Sequence, residues 1–453
     1  MSALSFPMLA TFTAIVLLYT NAPAIAIQRG IPPVAAGAVV PFILLLAVVH
    51  QIVIRRRSIV VDRTLCVMLV FLGVLLLSAF NAKGYHAAAA RIALFCGEGI
   101  AIYFLVRNAV RTPSELRAAI VSVLLAGGIL AMVAMVQWLT GAYQNDFLGL
   151  AQRAVEHPDR RAGGPVNEPN RFAQILLVAA PLGWVLWIDA LRKHRRLLAG
   201  LSVALLLGGV LLTRSRGAFL ILVVLLVLAA ALRLVRPRRL LVALTAGALL
   251  IPVVAPSYLA RIGSIAGVVG LVGGRGTEPD PAMRGRVTEM LSAFAAFSDH
   301  PVLGVGPGQY MPYYSVRYQA LPEISLRELP TPRRAHDLYL EIAAETGLVG
   351  LVVFLTIPLL LLRDLEVLRR DLSGPRPDLA RLAAGFTLAL LAYLGTGVFL
   401  HLAFERYYWF LVALTAAAVG IMDREDRLEL VPAVSHFRQP RQGRRSSLEG
   451  ASC

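Results

Sequence analysis

Only three cysteines occur in the 453 residues, far apart at Cys66, Cys96 and Cys453. Two fall inside apolar runs, a spacing that argues against both a disulfide framework and a cysteine metal site. Charge is scarce too: charged residues make up 16% of the chain and hydrophobic residues 57%, whereas soluble domains carry about a quarter charged. Acidic residues are the smaller part of that set, 27 against 44 basic, for a net charge of +17. No D-x-D motif lies on the segments that charge places outward, where the nearest acidic pair is Glu278-Pro279-Asp280. No internal repeat is present, which counts against an inverted-repeat transporter.

What the chain has instead is apolar length. Mean hydropathy is +0.70, and apolar runs recur at about the ~20 residues needed to cross the hydrocarbon core. Twelve spans are expected, near 5–22, 32–54, 64–80, 87–106, 118–139, 172–191, 197–213, 218–235, 240–256, 347–362, 382–400 and 407–422. The fold class is therefore an all-α polytopic membrane protein. A charge of +17 would suit nucleic acid, but the basic residues cluster between spans. Arg55–Arg57, Arg107 to Arg117, Arg192 to Arg196, Arg233 to Arg239 and Arg363 to Arg381 occupy alternate loops, while the loops at Gln28, Lys83, Ser215 and Glu405 carry few cations. By the positive-inside rule both termini are cytoplasmic and those four loops face outward. Ala22-Pro23-Ala24 resembles a signal-peptidase site, yet the preceding stretch has no Lys or Arg, so the first span is expected to stay.

Two outward segments exceed what a turn needs, about 140–171 and 257–346. Four regions follow: spans one to nine over 1–256, a partly helical outward domain over 257–346 carrying the candidate active site, spans ten to twelve over 347–422, and a basic, disordered cytoplasmic tail over 423–453.

Several outward arginines are not explained by topology. "LLTRSRGAF" places Arg214 and Arg216 between spans, with Arg216 at a helix N-terminus, where a cation is unfavourable unless an anion lies nearby. Snorkelling at the interface is the alternative. In "RRAGGPVNEPNRFAQ", Asn170 is expected to cap the following helix, and Arg161 is a surface charge or a ligand contact. "MRGRVTEMLSAFAAFSDHPVLGVGPGQY" reads as an amphipathic helix with Arg286 in its first turns. Val302 and Leu303 are expected to pack, and Gly304, Gly306 and Gly308 to permit close backbone approach. Arg91 and Glu98, two turns apart within span four, are expected to pair.

The stretch "RRAHDLYLEIAAETGLVG" begins at Arg333 and Arg334. Helical spacing places His336 in the first turn with Leu340 and Ala343 on its side, and Asp337, Glu341 and Glu345 on another. The positive helix end keeps His336 neutral and able to accept a proton. Outward arginines at membrane level suit a lipid-linked diphosphate, because the guanidinium fork matches phosphate oxygens. A neutral imidazole beside them would serve as general base toward an acceptor hydroxyl, with no metal or cofactor required.

These segments resemble a known family. "AHDLYLEIAAETGLVG", "SRGAF", "RAGGPVNEPNRFAQILLVAAPL" and "GRVTEMLSAFAAFSDHPVLGVGPGQY" are similar to the characteristic segments of the O-antigen ligase and O-antigen polymerase superfamily. The resemblance covers about 110–420 and implies a metal-independent, inverting GT-C-type glycosyltransferase of the bacterial inner membrane. Its donor would be a glycan on undecaprenyl diphosphate at the periplasmic face. By position, His336 would be the base, Arg216 and Arg286 would hold the diphosphate, and Arg161 matches a family position before the Pro-Asn pair. Arg214, Arg333, Arg334 and Asn170 join them as candidate substrate contacts. The family's usual aromatic after Arg286 is absent, with Glu289 or Met290 near that position. A ligase with lipid A core as acceptor is the first reading. A polymerase using a second lipid-linked glycan or a protein O-oligosaccharyltransferase is the alternative, and a flippase is the different-class one.

Overall fold

The computed structural model describes residues 5–152, 161–236, 281–326 and 331–435, with isolated positions 238, 241 and 245. Most of the ninth expected span (240–256), Arg239, the stretch around Glu278 and Asp280, and the tail beyond 435 lie outside them.

No strand occurs among the described residues. The helices are α1 (Phe6–Tyr19), α2 (Ala22–Gln28), α3 (Pro33–Val49), α4 (Arg63–Ser78), α5 (Tyr85–Leu94), α6 (Ile102–Ala109), α7 (Pro113–Thr140), α8 (Pro169–Asp189), α9 (Lys193–Thr213), α10 (Arg216–Ala231), α11 (Pro281–Asp299), α12 (Ser315–Gln319), α13 (Leu338–Asp371), α14 (Pro377–Gly397) and α15 (Arg406–Ser435). Eight helical stretches are long and apolar enough to cross a membrane, nine if the bent pair α1–α2 counts as one span. The chain is a multi-pass membrane protein. Of the other expected spans, the eighth is the shorter apolar helix α10 and the twelfth lies within α15, which is not among the eight.

Burial sorts the bundle. α8 and α14 are 67% buried over their most apolar windows, against 28% for α9 and the stretch from α3 to Ile54, so the former pair is central and the latter face lipid. Between α5 and α6 the span passes through a π-helical turn, Phe95–Ala101. That wider turn rotates the faces on either side of it. Arg91 and Glu98 therefore do not pair, contrary to the expectation from their spacing. Arg91 faces Glu345 at 4.0 Å and lies over the Phe404 ring, while Glu98 faces Arg406 at 3.4 Å.

Side-chain contacts segregate the loops to two ends. At one end Arg107 Nε bonds Asp62 at 2.8 Å, Arg111 donates to the Ser58 carbonyl, Arg381 bonds Asp189 at 2.6 Å, and Arg63 pairs with Asp364. At the other, Asn81 reaches the Gly304 carbonyl, Arg161 reaches that of Thr213, and Arg171 pairs with Glu405. The split matches the alternation of arginines along the sequence. α13, Leu338–Asp371, runs beyond its expected span 347–362 at both ends; at the far end Glu366 pairs with Arg369 and Arg370, i,i+3 and i,i+4 contacts that support a helix in water.

The second of these ends, the one expected to face outward, carries a small layer built from α11, α12 and the chain between them, with its own core of Ala293, Ala296, Val305, Tyr310, Tyr314 and Tyr318. It joins the bundle through main chain. α13 is broken at Gly347, whose φ of 67° and ψ of −168° suit glycine alone. The break leaves helix groups without intrahelical partners, and residues 301–306 fill in. Leu348 N–H donates to Pro301 (2.8 Å), while Val305 and Gly306 donate to Ala344 (2.9 Å) and Glu345 (3.0 Å). A side chain at Gly304 would strike the backbone of Glu345 and Thr346, and one at Gly347 that of Val302. Each glycine of the run makes the expected close approach, Gly304 to α13, Gly306 to Ala82 before α5 and Gly308 to Ala87 on α5. Val302 contributes its carbonyl to this seam while its side chain is 63% exposed, so it does not pack as expected.

Candidate active site

His336 sits just before α13, two residues short of it. Asp337 is the N-cap, its Oδ1 accepting Leu340 N–H at 2.7 Å, so the helix starts at Leu338. Carboxylates make better caps than imidazoles, and the expected first-turn placement of His336 is corrected by two positions. His336 takes a left-handed backbone, φ 50°, uncommon for a residue with a side chain. Anchors on both sides hold it there. Ala335 is fully buried, and Arg334 clasps Glu341 across the helix start through Nε contacts of 3.1 and 3.2 Å and a further Nη2 contact.

The three acidic residues expected on one face have separate duties. Asp337 caps, Glu341 holds Arg334, and Glu345 faces Arg91. They form no common acidic surface.

Around the imidazole the structure gathers charged groups from four elements. Nε2 lies 3.7 Å from Glu289 Oε2 on α11, and the ring meets that of His401 edge-on at 4.8 Å. Burial pushes the His336 imidazole down to about 4, helped by the Arg286 and Arg333 charges and opposed by Glu168 and Glu341. His401 is pushed down to about 3, chiefly by burial and then by Arg334 and His336, against the pull of Glu341. Both rings are neutral at pH 7. The neutrality expected for His336 holds, but burial and Arg286 cause it, since the residue precedes the helix whose dipole was invoked.

The arginines divide into groups. Arg286 stands in the second turn of α11, half-buried, and is the strongest cationic influence on His336. Arg216 is the first residue of α10 and is buried, behind the Ser215 cap and a left-handed Arg214 that ends α9. A Cβ on neighbouring Gly217 would meet Phe399, two residues before His401, which brings this turn beside the loop between α14 and α15. Arg333 is exposed.

Arg161 and Asn170 engage each other. Arg161 Nε donates to the Thr213 carbonyl at 2.8 Å, and Nη2 to Asn170 Oδ1 at 3.0 Å. The cap of α8 is Glu168, which accepts from the Asn170 and Arg171 N–H groups and from Asn170 Nδ2. Asn170 is thus not the expected cap, because the carboxylate two residues earlier reaches both N–H groups at once. Arg171 pairs with Glu405.

His401, Glu405, Arg171 and Glu168 were not among the expected site residues, although Glu405 marks an expected outward loop and Glu168 and Arg171 fall in the expected outward segment 140–171. The signal lay in "HLAFER", a histidine and two opposite charges in an outward loop only a few residues long. Among the described residues no group of three or more His, Cys, Asp or Glu is placed to hold a metal ion. An apolar groove of about 440 Å³ runs between α10, α13 and α14, lined by Leu225, Leu228, Tyr339, Pro358, Leu391 and Val398, with Tyr339 three residues from His336.

Residues 201–355 match the family model described as O-antigen ligase. The chain contains an O-antigen ligase domain. Comparison with curated proteins gives no match. The O-antigen ligase domain runs from α9 past the break in α13, so it contains Arg214, Arg216, Arg286, Glu289 and His336, while Arg161, Asn170 and His401 reach the same end from outside it.

Proposed function

We propose that this chain moves a glycan from undecaprenyl diphosphate to a hydroxyl of lipid A core, inverting at the anomeric carbon, at the periplasmic face of the bacterial inner membrane. The observation that carries this is a half-buried, neutral imidazole under the influence of Arg286, at the bundle end opposite the arginine-rich loops and inside the O-antigen ligase domain. The acceptor O–H bond breaks as His336 takes the proton, and the oxygen attacks the anomeric carbon. The bond from that carbon to phosphate oxygen breaks, and the diphosphate leaves with the electron pair. Arg216 and Arg286 neutralise the charge that collects on it, the part a divalent cation plays in other transferases. Arg161 and Asn170 brace the α8–α9 side of this region, and Arg214 and Arg333 attract the anionic donor.

Donor binding also arms the base. Burial lowers the His336 proton affinity most and the Arg286 charge lowers it further; a diphosphate on Arg286 offsets that second effect, so the imidazole gains proton affinity when the leaving group is in place. The apolar groove beside Tyr339 suits the polyprenyl chain. The full bundle in this reading has twelve spans, with α10, α15 and a segment over 240–256 completing those already counted.

The test is glycan transfer by purified protein in nanodiscs containing EDTA, offered a lipid-linked glycan with either lipid A core or a second lipid-linked glycan. Glycosylated lipid A core supports the ligase. Extended lipid-linked chains would instead make the protein a polymerase. Loss of activity restored by magnesium would overturn metal independence. No transfer to either acceptor, together with movement of the donor across vesicles, would replace the enzyme reading by a flippase.

A further inference from the structure

Glu289 is a buried acidic residue beside the His336 imidazole. It sits on α11 with its side chain 4% exposed, one turn beyond Arg286, and points Oε2 at His336 Nε2 across 3.7 Å. That gap is longer than a hydrogen bond and within the range of an ion pair. The backbone beneath it is pinned. The Glu289 carbonyl accepts from the Tyr310 hydroxyl at 3.3 Å, and the neighbouring Thr288 hydroxyl donates to Arg284 and accepts Leu326 N–H. On the imidazole, Nδ1 is enclosed and makes no hydrogen bond among the described residues, which leaves Nε2 as the nitrogen that can meet an acceptor.

We propose that Glu289 is a positioning residue that works through His336, aligning Nε2 and stabilising the imidazolium formed when the ring takes the acceptor's proton. The inference rests on His336 being the base. During transfer the acceptor O–H bond breaks and its proton joins the ring, and the imidazolium charge that results faces the Glu289 carboxylate across the 3.7 Å gap. The proton passes to solvent when product leaves. Arg286 from the same helix and Arg333 from the preceding loop oppose that charge. Glu168 at the cap of α8 and Glu341 on α13 favour it, and His401 flanks it as a neutral ring. Glu289 is the carboxylate whose oxygen is seated directly opposite Nε2.

The experiment compares Glu289→Gln, Glu289→Asp and His336→Ala in full-length protein in nanodiscs, measuring kcat against pH, donor affinity, and the His336 titration by NMR of isotope-labelled histidine. Removing a facing anion lowers proton affinity, so in Glu289→Gln the His336 titration and the acid limb of kcat should move to lower pH. Its plateau kcat should fall about tenfold or more, a share of the roughly 10²–10⁴-fold contributed by a general base. Donor affinity should stay close to the parent value, and Glu289→Asp should recover part of the rate. An unmoved titration in folded Glu289→Gln, with His336→Ala inactive, would overturn the role of Glu289 and leave the base in place. Retained turnover in His336→Ala would remove the base, and the role of Glu289 with it.

Discussion

Arg334 and Glu341 clasp each other across the start of α13, Nε lying 3.1 and 3.2 Å from the two carboxylate oxygens. Between them the chain places His336 in its left-handed conformation and Asp337 at the cap. Arg334 therefore acts as a fastening, whereas Arg333 one residue earlier is exposed.

Breaking that clasp should cost stability first. Arg334→Ala strands a buried carboxylate, a change worth roughly 3–5 kcal/mol when both partners are fully buried. The lower end applies, because a quarter of the Arg334 side chain, 25%, is exposed. Thermal unfolding in detergent should show a clear drop for Arg334→Ala and almost none for Arg333→Ala. The double variant Arg334→Ala/Glu341→Gln should recover part of the loss. Equal melting of the two single variants would show that the clasp holds nothing.

His336→Ala should lose roughly 10²–10⁴-fold in turnover while donor binding and folding persist. Turnover and lipid-linked donor affinity measured on one preparation check this. Near-parental turnover would make the imidazole a structural residue of the loop.

Arg286→Ala should weaken both donor affinity and turnover, since hydrogen bonds to charged groups are worth about 1.5–3 kcal/mol each. It should also raise the proton affinity of His336 by removing the strongest nearby cation. Lysine should restore the field better than the affinity, because it lacks the planar fork. Arg216→Ala should weaken donor binding without comparable effect on the histidine. Unchanged donor affinity in both alanine variants would detach the arginines from the diphosphate.

Acid should destabilise the fold over a defined window. His336 and His401, held near 4 and 3, take up protons in the unfolded chain near 6.5 but not yet in the folded one. Between those values the unfolded state binds more protons, so stability falls as pH drops from about 6.5 toward 4. Asp337, which burial pushes up to about 6, works in the opposite sense, one group against two. Melting temperature against pH should flatten in His401→Phe, and an unaltered slope would contradict the burial of that ring as a neutral group.

Orientation is open to a direct check. Single cysteines at positions 325 and 373, in a background lacking native cysteines, should react with an impermeant label from the periplasm and the cytoplasm respectively. The reverse pattern would place the site on the wrong face for a periplasmic donor.

The two ends of the bundle were legible because arginine counts in short loops report topology irrespective of packing. His336 and Arg286 were legible because cations and a histidine had no topological reason to be outward. Details that depend on competition between neighbours were not. Asp337 outcompetes His336 for the helix start, Glu168 outcompetes Asn170, and a π turn separates Arg91 from Glu98. His401 was missed because it acquires meaning only through the ring it touches, 65 residues away in sequence.

The glycine seam between residues 301–306 and the break in α13 bears on how this protein can be recombined. A chimera that exchanges the outward layer by cutting at the apparent loop-to-span junction near residue 346 would sever Ala344 and Glu345 from Leu348 and Val349, though all four grip the same short segment. The new neighbour would need glycines at the positions of Gly304 and Gly347, or leave main-chain groups bare close to the hydrocarbon, where each costs several kcal/mol. The exchangeable unit is the outward layer together with the first turns of α13 on both sides of its break, and specificity grafted with less than that would travel without its foundation.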